Sequence, residues 1–204
     1  MKKIRIEPIT KIKFRIYLDE QFAFVLYKSE LSRYKLKDEM EIEKSTVDRI
    51  LEEAVLKRAK QKAMKLLQDA DRTKNELRER LIRAEFPEEI TDKAISYVES
   101  FGYLDDKRYV ENFVLSKKGR KSRKEIYAEL YRKKVDMELV DSILEDRYEE
   151  EDTQEAIRKI LEKKKYRFSE ATTQEKNKIC SYLARKGFGY GDIRKAMEIQ
   201  EWFE

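Results

Sequence analysis

Histidine does not occur in the 204-residue chain, which removes the side chain that most often serves as general base and as metal ligand. Cysteine occurs once, at Cys180, so no disulfide can form within the chain, and its place in the phrase KNKICSYLARKGF reads as a core position on a helix. Five glycines and two prolines are too few for a loop-rich fold or a sandwich, and no glycines cluster into a phosphate-cradling loop. No apolar run approaches the roughly 20 residues that cross a bilayer, and the opening MKKIRIEPITKIKF lacks the apolar centre of a signal peptide. These shortages predict a cytoplasmic protein that holds neither metal nor cofactor and is not an enzyme.

What the chain has in excess is charge. Charged residues make up 44% and hydrophobic residues 40%, which supplies both a core and a heavily solvated surface and favours long helices. Carboxylates alternate with Lys and Arg at helical spacing, the pattern of ion-paired outer faces rather than of a catalytic carboxylate pair.

The first 28 residues depart from that pattern. Apolar residues alternate at Ile4 and Ile6, at Ile12, Phe14, Ile16 and Leu18, and at Phe22, Phe24 and Leu26, which predicts three short antiparallel strands. Asp19-Glu20-Gln21 supplies the hairpin turn, and 29–36 reads as a short helix. A long amphipathic helix should start at Ser45, as its cap, and run to about Gln68, because Val47, Ile50, Leu51, Ala54, Val55 and their successors recur every three or four residues.

Beyond it the chain repeats. Thr73-Lys74-Asn75-Glu76-Leu77 and Ser122-Arg123-Lys124-Glu125-Ile126 are both capping-box sequences, 49 residues apart. At the same offset Leu81 meets Leu130, Phe86 meets Val135, Ile90 meets Leu139 and Ala94 meets Ile143. A looser third copy, offset by 53, aligns Ile179, Leu183 and Phe188 with Ile126, Leu130 and Val135. The reading is mainly α: tandem three-helix repeats in an extended curved array with a small N-terminal antiparallel β segment. Its expected segments are 1–44 (strand-rich), 45–104, 105–150 and 151–204. Pro87 fits the first turn of a helix, Gly102 a left-handed helix end, and Asp105 or Asp106 the next cap.

Charge is distributed unevenly along these copies. Residues 107–134 hold 11 Lys or Arg against 3 acids, and residues 135–155 hold 1 against 10. One basic group comprises Lys117, Lys118, Arg120, Lys121, Arg123 and Lys124 around the start of a helix, with Arg132, Lys133 and Lys134 at its end. A second comprises Lys163, Lys164, Lys165 and Arg167. Both are candidates for nucleic-acid phosphate or an acidic protein surface, with a solubilising face or internal pairing as the alternative. Tyr103, Tyr109, Tyr127 and Tyr131 are candidates for contact with a protein, although at least half should pack between helices. Tyr166 and Phe168 are positioned to stack on bases or to fill the core.

The phrases DRTKNELRERL (71–81), GYLDDKRYVENFV (102–114), the basic passage at 120–134 and RKGFGYGDIRKAM (185–197) together resemble the RecX regulatory proteins, from about residue 45 onward. The strand-rich start, with YLDEQFAFVLY, is similar to the N-terminal extension of some members. The resemblance implies a monomer that binds the RecA filament on single-stranded DNA and inhibits its ATPase, strand exchange and filament growth. With that go DNA repair, homologous recombination, the SOS response, and possible direct contact with single- or double-stranded DNA. A general DNA-binding protein of stacked three-helix modules is the alternative. One departure concerns the turn between second and third helices, where the family often has Lys-Gly before an apolar residue. Only the third copy keeps the glycine, at Gly187, so Glu85 and Lys134 must either adopt a left-handed conformation or end the helix another way. Charge reversal at Arg120, Lys121 and Arg123 should abolish inhibition of RecA ATPase without changing helical content, as an activity assay beside circular dichroism would check.

Overall fold

Alternation in the first 28 residues does produce an antiparallel sheet, with one strand more than the pattern predicts. The computed structural model describes residues 1–167 and 169–203, the last five of these by backbone alone. Strands β1 (Lys2–Pro8), β2 (Lys13–Leu18), β3 (Gln21–Tyr27) and β4 (Glu41–Ile42) lie in the order β3-β2-β1-β4. Two residues cannot display a period of two, so β4 leaves no sequence signal. Ile12 falls outside β2 and is exposed.

The hairpin turns on Asp19 and Glu20 alone, with φ of 51° and 62°, the conformation that matches strand twist in a two-residue connection. The Asp19 carboxylate accepts the Lys3 amide at 2.9 Å, which helps hold two non-glycine residues in the left-handed region. Ile16 faces Phe24 while Tyr17 faces Phe22, leaving Ala23 as a bulge. That extra residue turns Phe22 away from the core, where simple alternation would have put it beside Phe24. Phe22 instead packs edge-on against Tyr17, whose ring also lies under Arg5.

Helix α1 (Lys28–Arg33) is shorter than the segment expected, because Lys35 becomes left-handed and the Leu36 amide closes back on Leu31. The long amphipathic helix comprises α2 (Lys44–Ile50), a π-helical stretch (Leu51–Leu56) and α3 (Lys57–Asp69). Its cap position is Glu43 rather than Ser45. Strand β4 ends at Ile42, so the chain turns helical immediately afterwards and Ser45 already lies in the first turn, its hydroxyl bonded to Glu43 at 3.2 Å. The wider π turn draws Ala54, Val55 and Leu56, three consecutive residues, into the core.

Helices α4 (Lys74–Arg83) and α5 (Glu88–Ser100) complete the first trio, with Pro87 at the cap of α5 rather than inside it. The second trio is α6 (Asp106–Lys117), α7 (Arg123–Arg132) and α8 (Met137–Arg147), and the third is α9 (Glu150–Lys163), α10 (Thr173–Arg185) and α11 (Tyr190–Phe203). Sheet and first trio share one core, running from Ile4 through Leu26 and Ile50 to Leu104, whereas the second and third trios each close a core of their own. Aligned positions play the same part in all three: Leu81, Leu130 and Leu183 are each 0% exposed. Cys180 lies half-buried against the third core, its sulfur 3.5 Å from that of Met197. The chain divides into two units, Met1–Asp105 and Asp106–Glu204. Among the described residues, no helix is long and apolar enough to cross a membrane.

The turn between middle and third helix is left-handed in every trio, at Glu85 (φ 65°), Lys134 (φ 54°) and Gly187 (φ 90°). In the first, Phe86 N–H closes on Leu81 and Glu85 N–H on Ile82; in the third, Phe188 closes on Leu183 and Gly187 on Ala184. Glycine-free copies therefore keep the turn and bear the left-handed cost of roughly 1–2 kcal/mol. At Glu85 ion pairs to Arg15 (2.6 Å) and Lys13 (3.7 Å) anchor the strained residue to the sheet. Gly187 has a second reason to be glycine, since a Cβ there would lie 2.9 Å from the Ser122 hydroxyl and 3.0 Å from Lys124 Cβ. Two aligned positions should thus respond oppositely in denaturant melts. Lys134→Gly should stabilise by about 0.5 kcal/mol after glycine's own entropic cost, and Gly187→Ala should destabilise by about 2 kcal/mol.

Candidate functional site

The approach of Gly187 to Ser122 fastens the third trio to the second and borders a basic concavity of the second unit. Ser122 Oγ accepts the Glu125 amide at 3.0 Å as the cap of α7 and donates to the Lys186 carbonyl at 2.6 Å. Lys186 Nζ donates to the Glu125 carboxylate at 2.9 Å, and that bond holds the Lys186 pKa above its usual value. Glu125 is therefore diverted, and the reciprocal capping box expected here does not close. It does close at Thr73–Glu76, with bonds of 3.1 and 3.2 Å. A third box, at Thr172–Glu175, lies a turn earlier than the repeat alignment suggested and lengthens α10; bonds from the Thr172 amide and hydroxyl hold Glu175 below the usual carboxylate range.

A second set of polar contacts lies within the second trio and at its border with the third. The Tyr148 hydroxyl donates to the Lys121 carbonyl at 2.8 Å, and burial pushes its pKa up, so it stays a donor at neutral pH. Lys118 Nζ reaches Asp152 at 3.4 Å and the Arg147 carbonyl at 3.3 Å. Gly119 is left-handed at φ 64° and faces Glu155, whose carboxylate oxygen would sit 2.5 Å from an added Cβ.

Alongside this junction lie two adjoining concavities of about 520 and 650 Å³ that share Tyr182 and Arg185. Lys124 and Arg132 of α7 and Lys186 line the first. Lys164, Lys165 and Arg167 from the α9–α10 connection, with Lys178 of α10, line the second. The acids of the groove are engaged: Glu125 with Lys186, Glu170 with Arg167 at 3.1 Å, and Glu175 with Thr172. Lys124, Arg132, Lys165, Lys178 and Arg185 have no carboxylate within ion-pairing distance among the described residues. Lys164 lies over the Tyr182 ring at 4.0 Å.

The structure thus joins the two basic groups read from sequence, bringing Lys124 and Arg132 to the same trough as Lys164, Lys165 and Arg167. Lys163 is exposed but does not line it. The remaining basic residues turn elsewhere. Lys117 lies over Phe113 at 5.6 Å and Lys133 over Tyr109 at 5.4 Å. Lys121 pairs with Glu129, Arg123 approaches Glu145 at 4.0 Å, and Arg120 helps to lower the pKa of Glu155. Lys134 occupies the left-handed turn. Reversing Arg120, Lys121 and Arg123 would therefore disturb internal pairs as well as any outside contact.

Of the tyrosines, Tyr109 and Tyr127 pack against the second core, whereas Tyr103 and Tyr131 are exposed by 52% and 66%. Tyr103 stacks on Phe101 in the first unit. Tyr166 packs against the third core, and Phe168 lies outside the described residues. Sequence reading missed Lys178, Arg185 and Lys186, which belong to no basic run. Their signal was helical spacing, since Lys178 and Arg185 stand seven residues apart on one face of α10. No cluster of three or more potential metal ligands occurs among the described residues.

Three family models match the chain in order: the first three-helix domain of RecX over residues 59–97, the second over 105–144 and the third over 150–197. Regulatory protein RecX of Caldanaerobacter subterraneus is 29% identical over 92% of this chain and 93% of its own length. RecX of Clostridium botulinum is 26% identical over 99% and 96%, and that of Bacillus velezensis 28% identical over 98% and 77%. A crystal structure of regulatory protein RecX aligns with a TM-score of 0.61 at 20% identity, covering 96% of this chain and all of that one. The structure of RecX from Lactobacillus salivarius gives 0.59 at 21%, covering 72% and 97%. At those identities the two structures show a shared fold. The part-buried bond from Tyr148 to Lys121 inside the second trio gives a direct test: Tyr148→Phe should lower unfolding free energy by about 1 kcal/mol in a denaturant melt.

Proposed function

Because the chain belongs to the RecX family of regulatory proteins, matching its three helical domains in sequence order, we propose that it binds the RecA filament on single-stranded DNA and inhibits ATP hydrolysis, strand exchange and filament growth. The observation that carries this reading is the groove assembled from α7, α10 and the connection before α10, with five basic side chains that have no carboxylate within ion-pairing distance among the described residues, on a scaffold of tandem helical trios. Shape and charge of that kind suit recognition of a polymeric assembly better than turnover of a small substrate. The protein acts as a cytoplasmic monomer with no chemistry of its own, and the segments 1–44, 45–104, 105–150 and 151–204 are its working divisions. Tyr103 and Tyr131 are the tyrosines available to a protein partner, being the exposed pair of the four.

A second reading, general DNA binding without RecA specificity, draws on the same groove. A titration of RecA ATPase on single-stranded DNA separates the two. Inhibition at protein levels well below those of RecA, persisting as salt rises enough to release the protein from naked DNA, is expected from a filament regulator. An unchanged ATPase at equimolar protein would defeat the proposal and leave the second reading standing.

A further inference from the structure

We infer that the outer edge of β3 is a strand-pairing surface for a second copy of this chain, held shut in the monomer by Arg58 and Glu30. β3 stands at the end of the sheet order β3-β2-β1-β4, so only one of its sides is bonded to a neighbouring strand. The Lys28 amide bonds to the Ile12 carbonyl, and successive residues of an antiparallel strand turn their polar groups to opposite sides, so Leu26 and Phe24 face β2 while Tyr27 and Val25 face outward. Both outward residues are engaged by side chains from outside the sheet. Arg58, at the start of α3, donates to the Val25 carbonyl at 2.6 Å, and the Tyr27 amide donates to the Glu30 carboxylate at 2.8 Å. Arg58 Nε stands 3.1 Å from Glu30 in an ion pair too bent to be a hydrogen bond, and the guanidinium lies 4.9 Å from the centre of the Tyr27 ring.

The strand itself names the occupant. Edge strands are ordinarily blunted by charge or proline, yet Gln21–Tyr27, QFAFVLY, carries neither. Such a segment meets an identical one without like-charge repulsion, and antiparallel pairing sets the Glu20 end of one strand beside the Lys28 end of the other. That is the self-complementarity a two-fold dimer requires. The bulge at Ala23 bends the N-terminal half of the edge, so closure of the other half falls to Arg58 and Glu30. Their side chains are only 21% and 18% exposed, and the cost of withdrawing both charges from water is offset because each also satisfies a backbone group. A second strand would satisfy the same two groups, so guarding and pairing exclude one another.

Sedimentation velocity across a range of protein concentrations tests this. Wild type should stay monomeric. Arg58→Ala, alone or with Glu30→Ala, should self-associate at least about tenfold more tightly than the limit set by wild type, as freed backbone groups on each copy allow. Adding Phe22→Lys to Arg58→Ala should return the monomer, because Phe22 is exposed and a lysine there sets like charges on the paired edge. A labelled peptide copying residues 20–28 should bind Arg58→Ala and not wild type, and a scrambled peptide should bind neither.

Monomer in every guard variant, or wild type associating as tightly as Arg58→Ala, would overturn the guard. Association of Arg58→Ala that persists with Phe22→Lys would overturn the edge as the surface, since a loosened core would behave in that way. Equal uptake of the scrambled peptide would overturn a second copy as the occupant. Should Arg58→Ala fail to fold by circular dichroism, Arg58→Lys decides: it keeps the charge but lacks the fork that reaches Val25 and Glu30 together, and it too should associate more tightly than wild type.

Discussion

Each three-helix unit depends on a sharp reversal between its second and third helices, made by one residue held in the left-handed region. Two short helices can cover a third only if the chain doubles back immediately, and a left-handed residue lets the next amide reach the free carbonyls of the helix just ended. Glu85, Lys134 and Gly187 all do this. The conformation is thus imposed by the packing of the unit and not by the residue that adopts it, since two of the three carry side chains that disfavour it.

What surrounds each reversal gives it a different role. At Glu85 the side chain is used, bound to Arg15 and Lys13, so the turn of the first trio is anchored to the sheet that shares its core. At Gly187 the absence of a side chain is used, because the backbone must come against the start of α7. A residue that looks like a relic of the family pattern is there set by a neighbour 65 positions earlier, Ser122. The second and third trios keep separate apolar cores and meet through polar contacts. Such contacts fix geometry at modest net energy, which makes the junction the natural place for the groove to be set up.

Charge follows the same logic. The longest basic run, around residues 117–124, is largely absorbed by the fold: Lys118 holds Asp152, Lys121 holds Glu129, and Arg120 stands near Glu155. The acidic block after residue 135 supplies two of those three partners, so internal attraction accounts for much of the unevenness. Sparser cations on α10, Lys178 and Arg185, which no run announced, have no carboxylate within ion-pairing distance among the described residues and line a trough open to solvent. Density along the chain was a poor guide to availability, because pairing depends on what the fold brings within about 4 Å.

Sequence alone determined the features whose cause is local. Capping residues, helical periodicity and the 49-residue offset between Thr73 and Ser122 fixed the number and order of the trios, because caps and amphipathic faces are written within a few residues of where they act. Strand alternation fixed the hairpin for the same reason. Only the tertiary structure decided that β4 pairs with β1, that Ala23 bulges and turns Phe22 outward, that Glu125 leaves its cap for Lys186, and which lysines stay unpaired. Each of these is a contact between residues distant in the chain or a register between strands. Its energy comes from burial and charge neutralisation that exist only once the partners have been folded together.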